Sequence, residues 1–237
     1  MEKQSVSFDY ITENIKRIKD SIGEAAVKCG RAPQEIILEG VTKTIDCDRI
    51  NFALENGIEV IGENKVQELL LKKDELKPCE RHLIGHLQSN KVKKIVGEVK
   101  MIESVDSVAL AKEIAKYSLM KGAKTEVLLQ INSGNEENKF GFTLEEIEER
   151  AFEISEISGI RVKGLMCVAP ISEKDSEIRE IFSKVYKKYI DIRAKMSDNS
   201  SMEILSMGMS GDFIQAIYEG STMVRVGSAI FGNRVYN

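Results

Sequence analysis

The 237-residue sequence has no paired CxxC motif, only two histidines, no basic cluster interleaved with aromatics, and no apolar run long enough to cross a bilayer. Each absence removes a class of protein. Cys29, Cys47, Cys79 and Cys167 are scattered and nothing points to secretion, so thiols in a reducing compartment are expected rather than a disulfide framework. The two histidines, His82 and His86, flank Leu-Ile-Gly; a metal centre would need a third ligand that no recognisable spacing supplies, so no metal is expected. A formal charge of −4 gives no electrostatic reason to expect nucleic acid. The N-terminus lacks the apolar stretch of a targeting signal and no membrane partner is expected, which implies a cytoplasmic address. No Pro-rich linker or low-complexity stretch marks a boundary, so residues 1–237 read as a single domain.

What is present is a repeating order of elements. Phe8, Ile11, Ile15, Ile18 and Ile22 recur at three- and four-residue steps, which predicts an amphipathic helix ending near Cys29-Gly30, ahead of Pro33. Short apolar runs then alternate with helical patterns. Those near 36–42, 58–62, 82–86, 99–104, 126–132, 161–168, 203–206 and 222–226 read as eight strands. Parallel strands need crossovers to reach their neighbours, and repeated strand–helix order leads to a doubly wound sheet or a closed barrel. Eight strands favour an α/β fold of the (β/α)8 TIM-barrel type, with an N-terminal helix before the first strand.

Such a barrel gathers its strand ends on one face and often holds phosphate with the loops after its seventh and eighth strands. Here those loops are Leu205 to Asp212 and Val224 to Ser228. In the first, Ser206, Ser210 and two glycines precede the helical pattern Phe213 to Tyr218, collecting backbone N–H groups where a helix begins. An N-cap by Ser210 or Asp212 explains that segment alone equally well. The second loop tips the balance, because Gly227 and Ser228 offer another backbone approach and another hydroxyl. Near the other end of the chain, Lys43 follows Ile36 to Thr42 and so stands at the end of strand one. It is either a solvated lysine or a Schiff-base lysine, whose amine reacts with an aldehyde only when unprotonated. A lysine and a phosphate cradle together suggest pyridoxal 5'-phosphate. Arg225, inward on the eighth strand, needs either a carboxylate or the pyridine nitrogen as partner. Opposite that nitrogen a guanidinium would disfavour ring protonation and leave a weak electron sink. Asn64, after Ile61-Gly-Glu, either caps a helix or touches the ring, and the even spacing of His82 and His86 puts both on one strand face at the barrel mouth.

Taken in order, Val41 to Thr44, Gly62 to Glu68, His82 to Lys91, Gln130 to Glu136 with Lys139 to Gly141, Gly164 to Met166, Leu205 to Asp212 and Val224 to Gly227 carry a resemblance. Over nearly its whole length the chain resembles the YggS/PROSC-type pyridoxal-phosphate homeostasis proteins, whose fold is like the N-terminal barrel of bacterial alanine racemase. The resemblance implies that Lys43 carries the cofactor as an internal aldimine. It also implies that Ser210, Gly227 and Ser228 hold the phosphate with help from Ser206 and Met207, and that Arg225 faces the pyridine nitrogen. Asn64, His82 and Met166 would line the site. Thr42, Arg81 and Ser228 depart from the family's usual serine, tryptophan and threonine. The implied role is storage, buffering or delivery of the cofactor in vitamin B6 homeostasis, with no established catalytic residue. Apo-enzymes that use the cofactor and amino acids are further implied partners, and a monomer is expected, with a dimer as the alternative. Alanine racemase draws a second base from an additional β domain, whereas this sequence ends at Asn237 soon after the eighth strand, so a carrier is expected. A slow amino-acid racemase, with a second proton from His82, Tyr236 or the polar loop before Lys139, is the alternative reading. A Schiff-base aldolase is a more distant third.

Overall fold

The computed structural model describes residues 7–134, 140–170, 172, 174–196 and 201–232. Among these are eight strands: β1 (Ile37–Val41), β2 (Val60–Glu63), β3 (Glu80–Leu83), β4 (Met101–Val105), β5 (Thr125–Ile131), β6 (Ile160–Cys167), β7 (Ile204–Ser206) and β8 (Met223–Val226). Each pairs in parallel with the next, and β8 pairs back onto β1 to close the barrel. Helices α2 (Cys47–Glu55), α3 (Val66–Lys72), α4 (Val92–Ile95), α5 (Val108–Met120), α6 (Ile147–Ser155), α7 (Asp175–Lys195) and α8 (Phe213–Tyr218) fill the crossovers, and α9 (Ser228–Phe231) follows β8. Side-chain caps start two of them: Asp46 accepts the Arg49 N–H of α2 and Ser107 that of Leu110 in α5. Each such cap stabilises by about 1 kcal/mol.

Before the barrel, α1 (Asp9–Lys28) buries Ile11, Ile15, Ile18 and Ile22 as their spacing predicts, and packs on α8 and α9. It stops at Cys29, with Gly30 at φ +70° and Pro33 opening a short 3-10 turn. No helix among the described residues is long and apolar enough to cross a membrane.

All eight expected strands are found, but the third lies earlier than its apolar run. It ends at Leu83 because Gly85 crosses the end of β2 at close range: a Cβ there would fall 2.2 Å from the Asn64 carbonyl oxygen. The two histidines therefore do not share a strand face. His82 is buried within β3, whereas His86 lies beyond it, bonded to Asp106 and stacked on Phe140 at 3.6 Å.

Outward-facing strand residues such as Leu83, Ile102, Leu129 and Leu165 pack under the helices. Inside the barrel a separate cluster, Met101, Leu128, Met166, Ile204 and Met223 with Ile37, forms an apolar floor. Side chains two residues apart on a strand share a face. The step from Ile37 to Glu39, Met101 to Glu103, Ile204 to Ser206 and Met223 to Arg225 thus turns this floor into a buried polar layer nearer the strand ends.

β6 carries one extra residue against β5, since Val127 pairs with Val162 but Leu128 with Gly164. Gly164 takes φ +154°, and a Cβ on it would sit 1.7 Å from the Ile204 carbonyl oxygen of β7. Gly164→Ala must therefore push β7 away, and should destabilise the protein by roughly 2 kcal/mol or more. Thermal melts followed by circular dichroism check this; an unchanged Tm would show that the bulge relaxes freely.

Candidate functional site

The polar layer is a continuous chain across the barrel. From β3, His82 places Nδ1 2.9 Å from Glu103 Oε1 on β4 and 3.1 Å from Glu39 Oε1 on β1. The single Nδ1 proton goes to Glu103, so neither Glu39 oxygen has an aligned hydrogen bond, and His82 Nε2 also lacks one. The other Glu103 oxygen accepts from Ser206 Oγ at 2.7 Å, and that hydroxyl accepts from Arg225 Nη1 at 2.5 Å. Arg225 Nη2 donates to the Cys167 carbonyl at 2.7 Å. A carboxylate thus stabilises Arg225 through Ser206, so the two partners considered from sequence are not exclusive: three of its five N–H donors remain beyond these bonds.

Burial opposes a charge on His82, but its bond to Glu103 and the close Glu39 carboxyl, with the negative charge of both, outweigh that and push its pKa up to about 10. Burial works to raise Glu103 as well; the His82 bond and charge, with Arg225 and Ser206, outweigh it and hold the carboxyl low. Glu39 is raised to about 7, by burial first and then by the negative Glu103. The layer therefore holds an imidazolium, a carboxylate and a guanidinium, with Glu39 as the group that ionises last. Glu39, His82 and Glu103 lie close enough for three-ligand metal binding. The arrangement does not favour it, because Nδ1 spends its proton on Glu103 and Arg225 already supplies a cation.

At the strand ends, Lys43 lies just past β1, half-buried in a turn. Asn64 follows β2 with its Oδ1 buried and unbonded. On the far side of the closure, Ser210 Oγ accepts from the N–H groups of Gly227 at 3.2 Å and Ala229 at 3.4 Å. Gly227 packs against Val41, where an added Cβ would lie 3.3 Å from both Cβ and the carbonyl oxygen. That contact brings the Ser210 group to the strand end that carries Lys43. Ser228 is exposed beside it. Two other expected phosphate contacts stand elsewhere: Ser206 belongs to the interior chain, and Met207 packs in the outer core with its N–H given to Met223 O. Met166 is buried in the interior floor. Lys139 and Tyr236 lie outside the described residues.

Glu39 and Glu103 were missed from sequence. Their signal was there: each interrupts an apolar strand run at an inward position, where an acidic residue is buried only if other groups require it.

This is a barrel of the alanine racemase N-terminal type, and the family model described as "Alanine racemase, N-terminal domain" matches residues 42–235. The pyridoxal phosphate homeostasis protein of Aquifex aeolicus is 37% identical over 226 residues, covering 94% of this chain and 98% of its own. The structure of PipY from Synechococcus elongatus with PLP bound is similar at a TM-score of 0.77 and 30% identity, over 89% of this chain and all of that one. An alanine racemase of Clostridium difficile shares the fold at a TM-score of 0.77 but only 17% identity, over 97% of this chain and 58% of the racemase. The chain belongs to the pyridoxal phosphate homeostasis protein family.

A carboxyl whose folded pKa is raised contributes stability below its ordinary range that is lost as pH rises through the folded value. For Glu39 the window runs from the ordinary carboxyl range to about 7. Glu39→Gln should therefore gain in Tm relative to the parent as pH rises from about 5 to about 8. Parallel Tm curves for the two proteins across that interval would mean that Glu39 does not ionise there.

Proposed function

We propose that this protein binds pyridoxal 5'-phosphate at the strand C-termini and serves its storage, buffering or delivery, with Lys43 as the covalent attachment point. The observation that carries the reading is the juxtaposition across the β8–β1 closure: a lysine past β1, the Ser210, Gly227 and Ala229 group past β7 and β8, and Arg225 inside the barrel between them. The residues fit the group. Backbone N–H groups converging on a hydroxyl are the donors a phosphate takes. The names of the curated relatives and the PLP-bound PipY structure support the same ligand.

The cofactor supplies an aldehyde and a ring that withdraws electrons best when protonated. Lys43 would hold the group through its aldehyde, by a bond that water can reverse, while the Ser210, Gly227 and Ala229 group would hold its phosphate; such an attachment suits holding and releasing. Arg225, kept in place by Ser206 and the Cys167 carbonyl, would oppose protonation of a ring nitrogen facing it, which suits holding over turnover.

Purified protein given pyridoxal 5'-phosphate should absorb in the visible, and borohydride should bleach the band and leave the adduct on Lys43. Lys43→Ala should lose the band yet keep measurable affinity in equilibrium dialysis, because the phosphate contacts do not depend on the covalent bond. Replacing Ser210 and Ser228 together by alanine should weaken binding roughly ten-fold, and far less for pyridoxal, which has no phosphate. A colourless protein with no adduct on Lys43 would overturn the reading.

A further inference from the structure

The turn that carries Lys43 is strained, and the groups that hold it come from another element. Ile45 N–H bonds the Thr42 carbonyl at 3.0 Å, closing a turn whose central residues are Lys43 and Thr44. Thr44 takes φ +64°, which no other non-glycine residue does among those described. Glycine or asparagine is the ordinary choice there, since a β-branched side chain crowds its own backbone in the left-handed region.

Two α3 side chains bracket the turn. Lys72 Nζ donates to the Thr42 carbonyl at 2.8 Å, and Glu68 Oε1 accepts the Thr44 N–H at 2.5 Å. Lys72 also donates to Glu68 at 2.7 Å and to Glu63 at 3.0 Å, so all three ammonium protons are placed. Glu63 in turn accepts the Thr42 hydroxyl at 3.0 Å. Burial works to raise the Glu68 carboxyl, but the bonds from Lys72 and the Thr44 N–H outweigh it and hold the carboxyl low, keeping it an acceptor. Both peptide units flanking Lys43 are therefore gripped by one partly buried ammonium–carboxylate pair. An ion pair that only joined α3 to β2 would need no bond to either peptide.

Resting on the reading of Lys43 as the attachment point, we propose that Lys72 and Glu68 are positioning residues for it. They hold Thr44 in its left-handed conformation and so fix the stem from which the Lys43 amine reaches the cofactor's aldehyde.

The test separates capture from affinity. The rate of visible-band formation with pyridoxal 5'-phosphate, with the borohydride adduct mapped to Lys43, reports capture. Dialysis with pyridoxamine 5'-phosphate, which has no aldehyde, reports the phosphate and ring contacts alone. Lys72→Met should slow capture roughly ten-fold, the scale of one strained backbone conformation, and change pyridoxamine 5'-phosphate affinity less than about two-fold. Lys72→Arg should recover part of the rate. Adding Thr44→Asn to Lys72→Met should recover most of it, because asparagine enters the left-handed region without help; a lysine serving only the fold would show no such rescue. If Lys72→Met does not fold, Glu68→Leu, which removes the acceptor of the Thr44 N–H and one of the three Lys72 partners while leaving the Lys72 bond to the Thr42 carbonyl, should give the same slowing and the same rescue. Capture at the parental rate in a folded Lys72→Met or Glu68→Leu variant, or no rescue by Thr44→Asn, would overturn the proposal. A parent protein that forms no Lys43 adduct would instead overturn the attachment reading on which it rests.

Discussion

The parallel pairing of β8 with β1 is the contact on which the site depends. It sets Arg225 beside Glu39 and Val226 beside Gly40, and so carries the loops that follow the last strands to the residue that leads into the Lys43 turn. These residues are 186 positions apart in a chain of 237. Neither the lysine nor the Ser210 group has a neighbour of use to it until the barrel closes, and closure is driven by apolar burial that involves neither: the interior floor within, and the isoleucines of α1 against α8 and α9 without.

The polar layer above the floor is held on different terms. Charges taken out of water are tolerated when each meets an opposite charge or a dipole, and breaking one link leaves another uncompensated. His82, Glu103, Ser206 and Arg225 satisfy one another in series, with the Cys167 carbonyl at the end. Glu39 stands at the head of that series in contact but without an aligned bond. This asymmetry follows from imidazole chemistry, since one Nδ1 proton cannot serve two carboxylates. The layer is consequently bonded on both sides of Arg225 and ends at Glu39, on the strand that leads to Lys43, in a carboxyl without an aligned bond.

Periodicity made the barrel legible in the sequence because strand and helix periods are local and the isoleucine stripe of α1 is unbroken. That Lys43, Ser210, Arg225 and Gly227 come together at one end of the barrel was legible because motif and strand position coincide. What escaped was set by contacts between distant segments. The early end of β3 depends on how closely Gly85 approaches Asn64, so an apolar run that continues to Ile84 and an even histidine spacing misled about His86. Glu39 and Glu103 escaped because a buried carboxylate is recognised by its partners, which lie on other strands. Met207 was drawn toward the phosphate by its place in a motif, although strand alternation sends its side chain into the outer core.

Gly62 gives the interior one further property. A Cβ at that position would lie 2.8 Å from the Glu39 carboxyl carbon and 3.0 Å from Ile84, so the glycine on β2 is in effect the space into which the β1 glutamate grows. A side chain at residue 62 could enter only if the Glu39 carboxyl swung aside, so the glycine is what lets the buried acid stand where it does, within reach of His82.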